Sequence, residues 1–334
     1  MVDGVPERHI VIAAFPGVQP LDVVGPHEVF VGAGRTAAAL GRPGRYRVTL
    51  ASTTGEPVRA ESGLQLGTDP LPAVGTAIDT LVLPGGHGSR AASADPVLLE
   101  WVRATAPRCR RVATVCSGTF IGAASGLYDG RRVTTHWARA HELQEAYPAL
   151  TVDPDPIYLR DGRYWSSAGV TAGIDLALAL VQEDLGVEVA QTVARWLVMF
   201  LHRPGGQSQF ASPVWVPRAE RSTVRAVQTL IELAPAGDHR LPALAAAAAM
   251  SVRHFTRVFT AEVGETPSRF VERVRLEAAR GELETTTDTL DRIAGRCGFG
   301  SAETLRRVFQ RRLLVTPDAY RRRFRTVTPE RTSA

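Results

Sequence analysis

The sequence predicts an α/β domain followed by an all-α domain, on three observations. Through residue 200, short apolar runs ending in Gly- or Pro-rich turns alternate with segments of helical periodicity, as in a mostly parallel sheet covered by helices. Beyond residue 220 no convincing strand occurs, and one pattern recurs at an offset of 50 residues. Charge divides the chain in the same place. Residues 1–217 carry 18 Arg against 20 Asp and Glu, whereas residues 218–334 carry 21 Arg against 14. Only the second part has the excess positive charge that suits a polyanion.

The elements follow in order. His9–Phe15 reads as a strand, Pro26–Ala39 as a helix and Tyr46–Ala51 as an alternating strand. Asp79–Leu83 ends in Pro84-Gly85-Gly86, and Arg111–Val115 ends in Cys116-Ser117-Gly118. Helical patterns cover Pro96–Thr105, Phe120–Ala124, Trp137–Ala146, Gly173–Glu183 and Val187–Phe200. The stretch from Pro204 to Pro217 is rich in Pro, Gly and Gln without periodicity and reads as a linker. The expected division is therefore 8–203, a linker over 204–220, and 221–326.

Composition excludes several classes. With 334 residues, 44% of them hydrophobic, about two packed domains are expected rather than disorder. The longest apolar candidate for a membrane span, Ala168–Val181, is interrupted by Asp175. The run Ile10–Phe15 is too short for a signal peptide. Three cysteines without a CxxC (Cys109, Cys116, Cys297) argue against a disulfide scaffold or zinc ribbon and for a reducing cytoplasm. No metal or cofactor is expected. His136 and His141 miss the i, i+4 ligand spacing, and Gly32-Ala-Gly34 has Ser52, not an acid, twenty residues on. Trp196, Phe200, Phe210 and Trp215 read as core and interdomain packing.

In the second part, Ser251–Phe259 matches Ser301–Phe309, Thr266-Pro267 matches Thr316-Pro317, and Phe270 matches Tyr320. Each copy reads as short helix, turn, helix, then Thr-Pro as N-cap and first residue of another helix. In the first copy Val252, Phe255, Val258 and Phe259 form an apolar stripe, while Arg253, Arg257 and Thr260 fall on the opposite face. In the second, Leu305, Val308 and Phe309 face inward and Glu303, Arg307, Gln310 and Arg311 outward. Short segments, the Ala-rich Pro242–Met250 and Leu290–Cys297, precede these helices. This is the plan of two helix-turn-helix units. Arginines at i and i+4 suit the major groove, because a guanidinium can donate two hydrogen bonds to guanine.

These residues resemble the AraC/XylS-type DNA-binding domain over about residues 221–325. The resemblance implies that both second helices enter successive major-groove segments of double-stranded DNA. Base-reading positions then fall on Arg253 and Arg257 in the first unit and on Glu303 and Arg307 in the second. One departure stands out. Leu314 occupies a position where the family usually has Gly, so the end of the second reading helix is expected to be remodelled.

Cys116 lies at a predicted strand-to-helix junction, with Ser117 and Gly118 permitting a sharp turn. That is the setting of a nucleophile elbow, where a helix N-terminus favours thiolate. The N–H groups of Gly85 and Gly86 are expected to face it and to bind an anionic oxygen. Asp22 is a candidate acidic partner and His136 a candidate base. Residues 8–202 resemble the class I glutamine-amidotransferase-like superfamily, PfpI branch, in the form fused to AraC-type regulators. The marks are Leu21-Asp22, Leu83-Pro-Gly-Gly86, Ala113-Thr-Val-Cys-Ser-Gly118, Thr135-His-Trp137, Ser167-Ala-Gly169, Gly173-Ile-Asp-Leu176 and Arg203-Pro-Gly-Gly-Gln-Ser-Gln-Phe210. The resemblance implies a flavodoxin-like parallel-sheet sandwich, with Cys116 as the elbow cysteine faced by Asp22. Hydrolases of this branch carry His after the cysteine, and here Ser117 stands there. A thiol without a placed base is poorly equipped for acyl transfer. The expectation is therefore a regulator without catalysis. Its first domain binds a small-molecule effector through Asp22, Gly85, Gly86, Cys116, Ser117 and His136, and forms a homodimer. The alternative is a cysteine-dependent hydrolase or hydratase of a small nitrogenous metabolite.

Overall fold

The structure, a computed structural model, describes residues 7–199, 201, 206–207, 210 and 219–324. It divides into two compact units, Met1–Gln209 and Phe210–Ala334.

The first unit begins with β1 (Glu7–Ala13), α1 (Pro20–Ala39), β2 (Arg45–Ser52) and three two-residue strands, β3 (Val58–Arg59), β4 (Gln65–Leu66) and β5 (Asp69–Pro70). Next come β6 (Thr80–Leu83), α2 (Ser89–Ala92), α3 (Pro96–Thr105), β7 (Arg111–Val115) and α4 (Thr119–Ala124). The unit closes with β8 (Arg132–Val133), α5 (Ala140–Ala146), β9 (Thr151–Val152), β10 (Tyr158–Asp161), β11 (Tyr164–Ser167), α6 (Ala172–Leu185) and α7 (Val187–Trp196).

Seven strands form one sheet in the order β10-β11-β7-β6-β1-β2-β5. Every pairing is parallel except β10 with β11. Central strands β1, β6 and β7 are buried runs (Ile10–Ala13, Leu81–Leu83, Val112–Val115) because helices cover both faces. Helix α1 starts six residues before the expected Pro26. Gln19 caps it by accepting the Leu21 N–H, Pro20 takes the first position, and Pro26 lies inside the helix. Asp22 therefore sits in the first turn of α1, and Gly32 and Gly34 are interior helix residues, not a nucleotide loop.

The second unit has seven helices among the described residues: α8 (Ser222–Leu233), α9 (Leu241–Ala247), α10 (Val252–Val263), α11 (Pro267–Thr285), α12 (Leu290–Arg296), α13 (Ala302–Leu313) and α14 (Pro317–Phe324). Helix α8 had no counterpart in the sequence reading. Ser251, Thr266, Thr289 and Ser301 each cap the next helix with a side-chain oxygen. Two cores result. Phe255, Val258, Phe259, Phe270 and Val271 belong to one, with α8 and α9. Leu276, Ala279, Leu283, Ile293, Leu305, Phe309 and Tyr320 belong to the other. Helix α11 serves both cores and so acts as the joint between the helix-turn-helix units. Val252 departs from the expected stripe. As the first residue of α10 it is 40% exposed.

Leu314 keeps the helix end that was expected to be remodelled. It is left-handed, with φ 55°, as Gly264 is at the end of α10 with φ 81°. The backbone geometry is thus preserved, and the cost falls on a residue with a Cβ, about 1–2 kcal/mol. Trp196 is 82% exposed, so it is not a core residue. Phe210 meets Phe324 edge to face with centroids 5.6 Å apart, while Phe200 and Trp215 lie outside the described residues. Within the expected linker, Gln207 is buried in the first unit and Ala219 in the second.

Candidate functional site

Strand β7 delivers Cys116 to the carboxyl edge of the sheet, where open α/β folds place their sites. Cys116 has φ 56°, the left-handed turn of an elbow. Its N–H donates to Ala168 O (3.2 Å), and its carbonyl accepts from the hydroxyls of Thr135 (2.7 Å) and Thr119 (3.1 Å). The loop after β6 presses on the elbow from one side and Asp22 approaches from α1.

Asp22 is fully buried, and its two oxygens accept the N–H groups of Gly85 and Val170, both at 2.9 Å. Burial nevertheless dominates and raises the carboxyl to about 7. Burial, with the Asp22 charge beside it, also pushes the Cys116 thiol far above its ordinary range. This corrects the expected thiolate. Cys116 is only 9% exposed, so desolvation and a neighbouring acid outweigh any help from the short helix that follows.

The expected oxyanion site is also corrected. The Gly85 N–H is taken by Asp22 and the Gly86 N–H by Ser117 Oγ (3.0 Å). The His87 N–H is taken by Glu61 (2.7 Å). These donors hold the loop against the elbow and are not turned outward. Ser117 Oγ also lies 2.9 Å from Ser89 Oγ. The residue in place of the hydrolase His therefore ties two turns together.

His136 is brought to the thiol. A Cβ placed on Gly169 would lie 2.6 Å from His136 Cδ2 and 2.7 Å from Cys116 Sγ. Its Nδ1 accepts the Ala138 N–H (3.2 Å), which leaves the ring proton on Nε2. Burial, with Arg139 nearby, lowers its pKa and favours the neutral ring. Sequence reading missed Glu61, which lies close enough to raise both Asp22 and Cys116 and is held by Gln19 Nε2 (2.6 Å). It sits between two-residue strands and carries no motif. Cys109 and Cys297 are buried with raised thiol pKa values, as expected of inert thiols. Among the described residues no group of His, Cys, Asp and Glu could hold a metal ion, and no helix is long and apolar enough to cross a membrane.

In the second unit Arg253 and Arg257 are exposed on α10, and Arg257 Nη2 lies 3.1 Å from His254 Nδ1. Thr260 is half-buried and its hydroxyl is shut off from solvent, so it adds little to that face. Glu303 and Arg307 are exposed on α13. Arg311 is ion-paired to Glu272 of α11, and Arg312 Nε donates to the same carboxylate at 2.6 Å. A cleft of about 460 Å³ opens between the two helix-turn-helix units, lined in part by Arg240, Arg275, Phe299 and Thr304.

An α/β unit with an elbow cysteine, continued by a basic, duplicated helix-turn-helix unit, defines a two-part class of protein. Residues 8–183 match the DJ-1/PfpI family, and residues 244–323 match a helix-turn-helix domain. The chain is 38% identical over 278 residues to the HTH-type transcriptional regulator Rv1931c of Mycobacterium tuberculosis, covering 75% of this chain and 97% of that one. It is 36% identical over 179 residues to isonitrile hydratase of Pseudomonas putida, covering 54% of this chain and 73% of the hydratase. A THiJ/PfpI family protein from Pseudomonas syringae shares the fold at a TM-score of 0.51 and 24% identity, over 73% of this chain and 90% of that structure. The chain belongs to the DJ-1/PfpI family and to the HTH-type transcriptional regulators.

Proposed function

We propose that this protein binds specific duplex DNA through α10 and α13 and regulates transcription in response to a small molecule held near Cys116. The observation that carries this reading is the pair of outward arginines on α10, repeated in part on α13, in the part of the chain with excess positive charge. Helical joining of the units supports it. The 19 residues of α11 span about 28 Å at 1.5 Å per residue, close to the ~34 Å between successive major-groove faces. Asp22 and Glu61 favour a neutral or cationic effector over an anionic one. A cytoplasmic homodimer completes the reading.

The loss of catalytic equipment argues against an enzyme. The thiol is protonated, the neighbouring N–H groups are occupied, and Ser117 follows the cysteine. The likeness to isonitrile hydratase favours a second reading, a cysteine hydratase carrying a DNA-binding module. Mapping of genomic DNA bound by the full chain, with and without candidate metabolites, tests the first reading. Discrete sites whose occupancy changes with a metabolite are expected, and sequence-independent binding would overturn it. Isonitrile turnover that Cys116→Ala abolishes would establish the second.

A further inference from the structure

The segment Arg203-Pro-Gly-Gly-Gln-Ser-Gln-Phe210 is singled out by the sequence, yet neither the elbow nor the reading helices use it. One of its residues is among the most thoroughly bonded in the first unit. Gln207 is 2% exposed. Its Nε2 donates toward Thr135 O (2.9 Å), Pro156 O (3.0 Å) and Thr134 Oγ1 (3.1 Å). Its Oε1 accepts the Trp137 N–H (2.8 Å), and its own N–H donates to Asp155 O (2.6 Å). The two amide hydrogens are thus shared among three acceptors at 134, 135 and 156, and the amide oxygen is held by the Trp137 N–H. Gly206 packs so closely that a Cβ there would lie 2.3 Å from Asp155 Oδ1.

The same stretch forms the wall of the cysteine site. Thr135 uses its hydroxyl on the Cys116 carbonyl and its own carbonyl on Gln207. His136 flanks the sulfur, and its ring lies 5.2 Å from that of Trp137, whose N–H holds Gln207. Cys116 and Gln207 are therefore connected through one residue, Thr135, and in parallel through the His136-Trp137 step.

We propose that Gln207 is a latch that couples the Cys116 site to the chain leading into the DNA-binding unit. The proposal rests on the reading of that site as a sensor and names how its state is passed on. A group bound or attached at the sulfur displaces the 134–137 wall and withdraws the partners of Gln207. Its amide cannot stay buried without them, because unsatisfied polar groups are costly inside a protein. The coupling is reciprocal, so freeing Gln207 must also loosen the wall over the thiol.

Cysteine labelling of the full chain tests this without knowledge of the effector. N-ethylmaleimide reaches a buried thiol only during local opening. Labelling is followed peptide by peptide by mass spectrometry. In Gln207→Ala, and more mildly in Gln207→Asn, Cys116 should label at least tenfold faster, while Cys109 keeps its wild-type rate. In the opposite direction, wild-type protein carrying a methylthio group on Cys116 should be cut faster by protease within residues 202–218. Unchanged Cys116 labelling in both variants would overturn the latch. Equal acceleration at Cys116 and Cys109 would overturn it too, because Gln207 would then only hold the unit together. The sensing reading fails separately. If the labelling coupling holds but DNA occupancy responds to no change at Cys116, the latch stands without a sensing role.

Discussion

Replacing Asp22 by asparagine tests the electrostatics of the elbow. The ordinary value for this carboxyl is 3.8, and burial raises it to about 7. A raised acid leaves the folded state unpenalised below the unfolded value. Ionising it then costs stability as pH rises toward the folded value. Over a shift of this size the cost reaches about 4 kcal/mol above pH 7, with roughly 2–3 kcal/mol of it incurred between pH 5 and pH 8. The replacement amide does not titrate, but its NH2 cannot accept the second of the two N–H groups now donated by Gly85 and Val170. That leaves one buried donor unpaired, a loss of about 1–3 kcal/mol at any pH. Asp22→Asn should therefore gain on the wild type as pH rises, the stability difference between the two moving by roughly 2–3 kcal/mol in favour of asparagine from pH 5 to pH 8. Urea unfolding of both proteins at half-unit intervals, followed by a probe of the first unit, measures it. A difference that stays constant or moves in favour of aspartate with pH would mean that Asp22 is ionised throughout and that the two N–H groups outweigh burial.

Arg253→Ala and Arg257→Ala should each cost about 1–3 kcal/mol of specific binding and relax preference at one or two base pairs. Arg307→Ala should weaken binding with less change of preference, as selection from a randomised site library would show. Glu272→Gln should release Arg311 and Arg312 from their shared carboxylate and make the salt dependence of DNA binding steeper, by up to about 0.9 in log–log slope for each phosphate gained. A slope unchanged in titrations from low to moderate salt would refute that. Gly264→Ala should destabilise the second unit by about 1 kcal/mol or more, because φ at this position is left-handed, and thermal melting reads it directly.

Elements whose chemistry is local were legible in the sequence. Thr266-Pro267 and Thr316-Pro317 start helices because a hydroxyl caps free N–H groups and proline has none to lose. Arg111–Val115 could be read as a strand because both its faces are buried, which leaves only Thr114 as a polar residue after Arg111. The same rules misplaced α1, since two prolines each satisfy the helix-start signal and only packing decides between Pro20 and Pro26. Strands β10 and β11 escaped notice. Strand β10 lies at the sheet edge, where Arg160 and Asp161 break any apolar pattern, and β11, one strand in, has only four residues, two of them serine. Within the site, Cys116, Asp22 and Ser117 are marked by motif. The occupation of the Gly85 and Gly86 amides, the approach of Glu61 and the burial of Gln207 arise from contacts across tens of residues, which no spacing rule encodes.

The elbow itself raises a question of cost. Cys116 holds a left-handed backbone, which for a residue with a Cβ is unfavourable by about 1–2 kcal/mol. In a hydrolase that strain presents a thiolate to substrate. Here the thiol is held protonated, and the groups that would serve acyl transfer are spent on the protein's own bonds. Gly85 N–H holds Asp22, Gly86 N–H holds Ser117, and His136 Nδ1 accepts from Ala138. Those bonds occupy the groups around the thiol and connect the elbow to α1, to the loop after β6 and to the 134–137 wall. A change in the charge or volume at Cys116 must therefore be absorbed by these elements, since the close-packed interior around them has little room to deform continuously. On the proposed reading, the bonds that tie up the elbow are also the ones through which its occupancy would be felt by the rest of the unit.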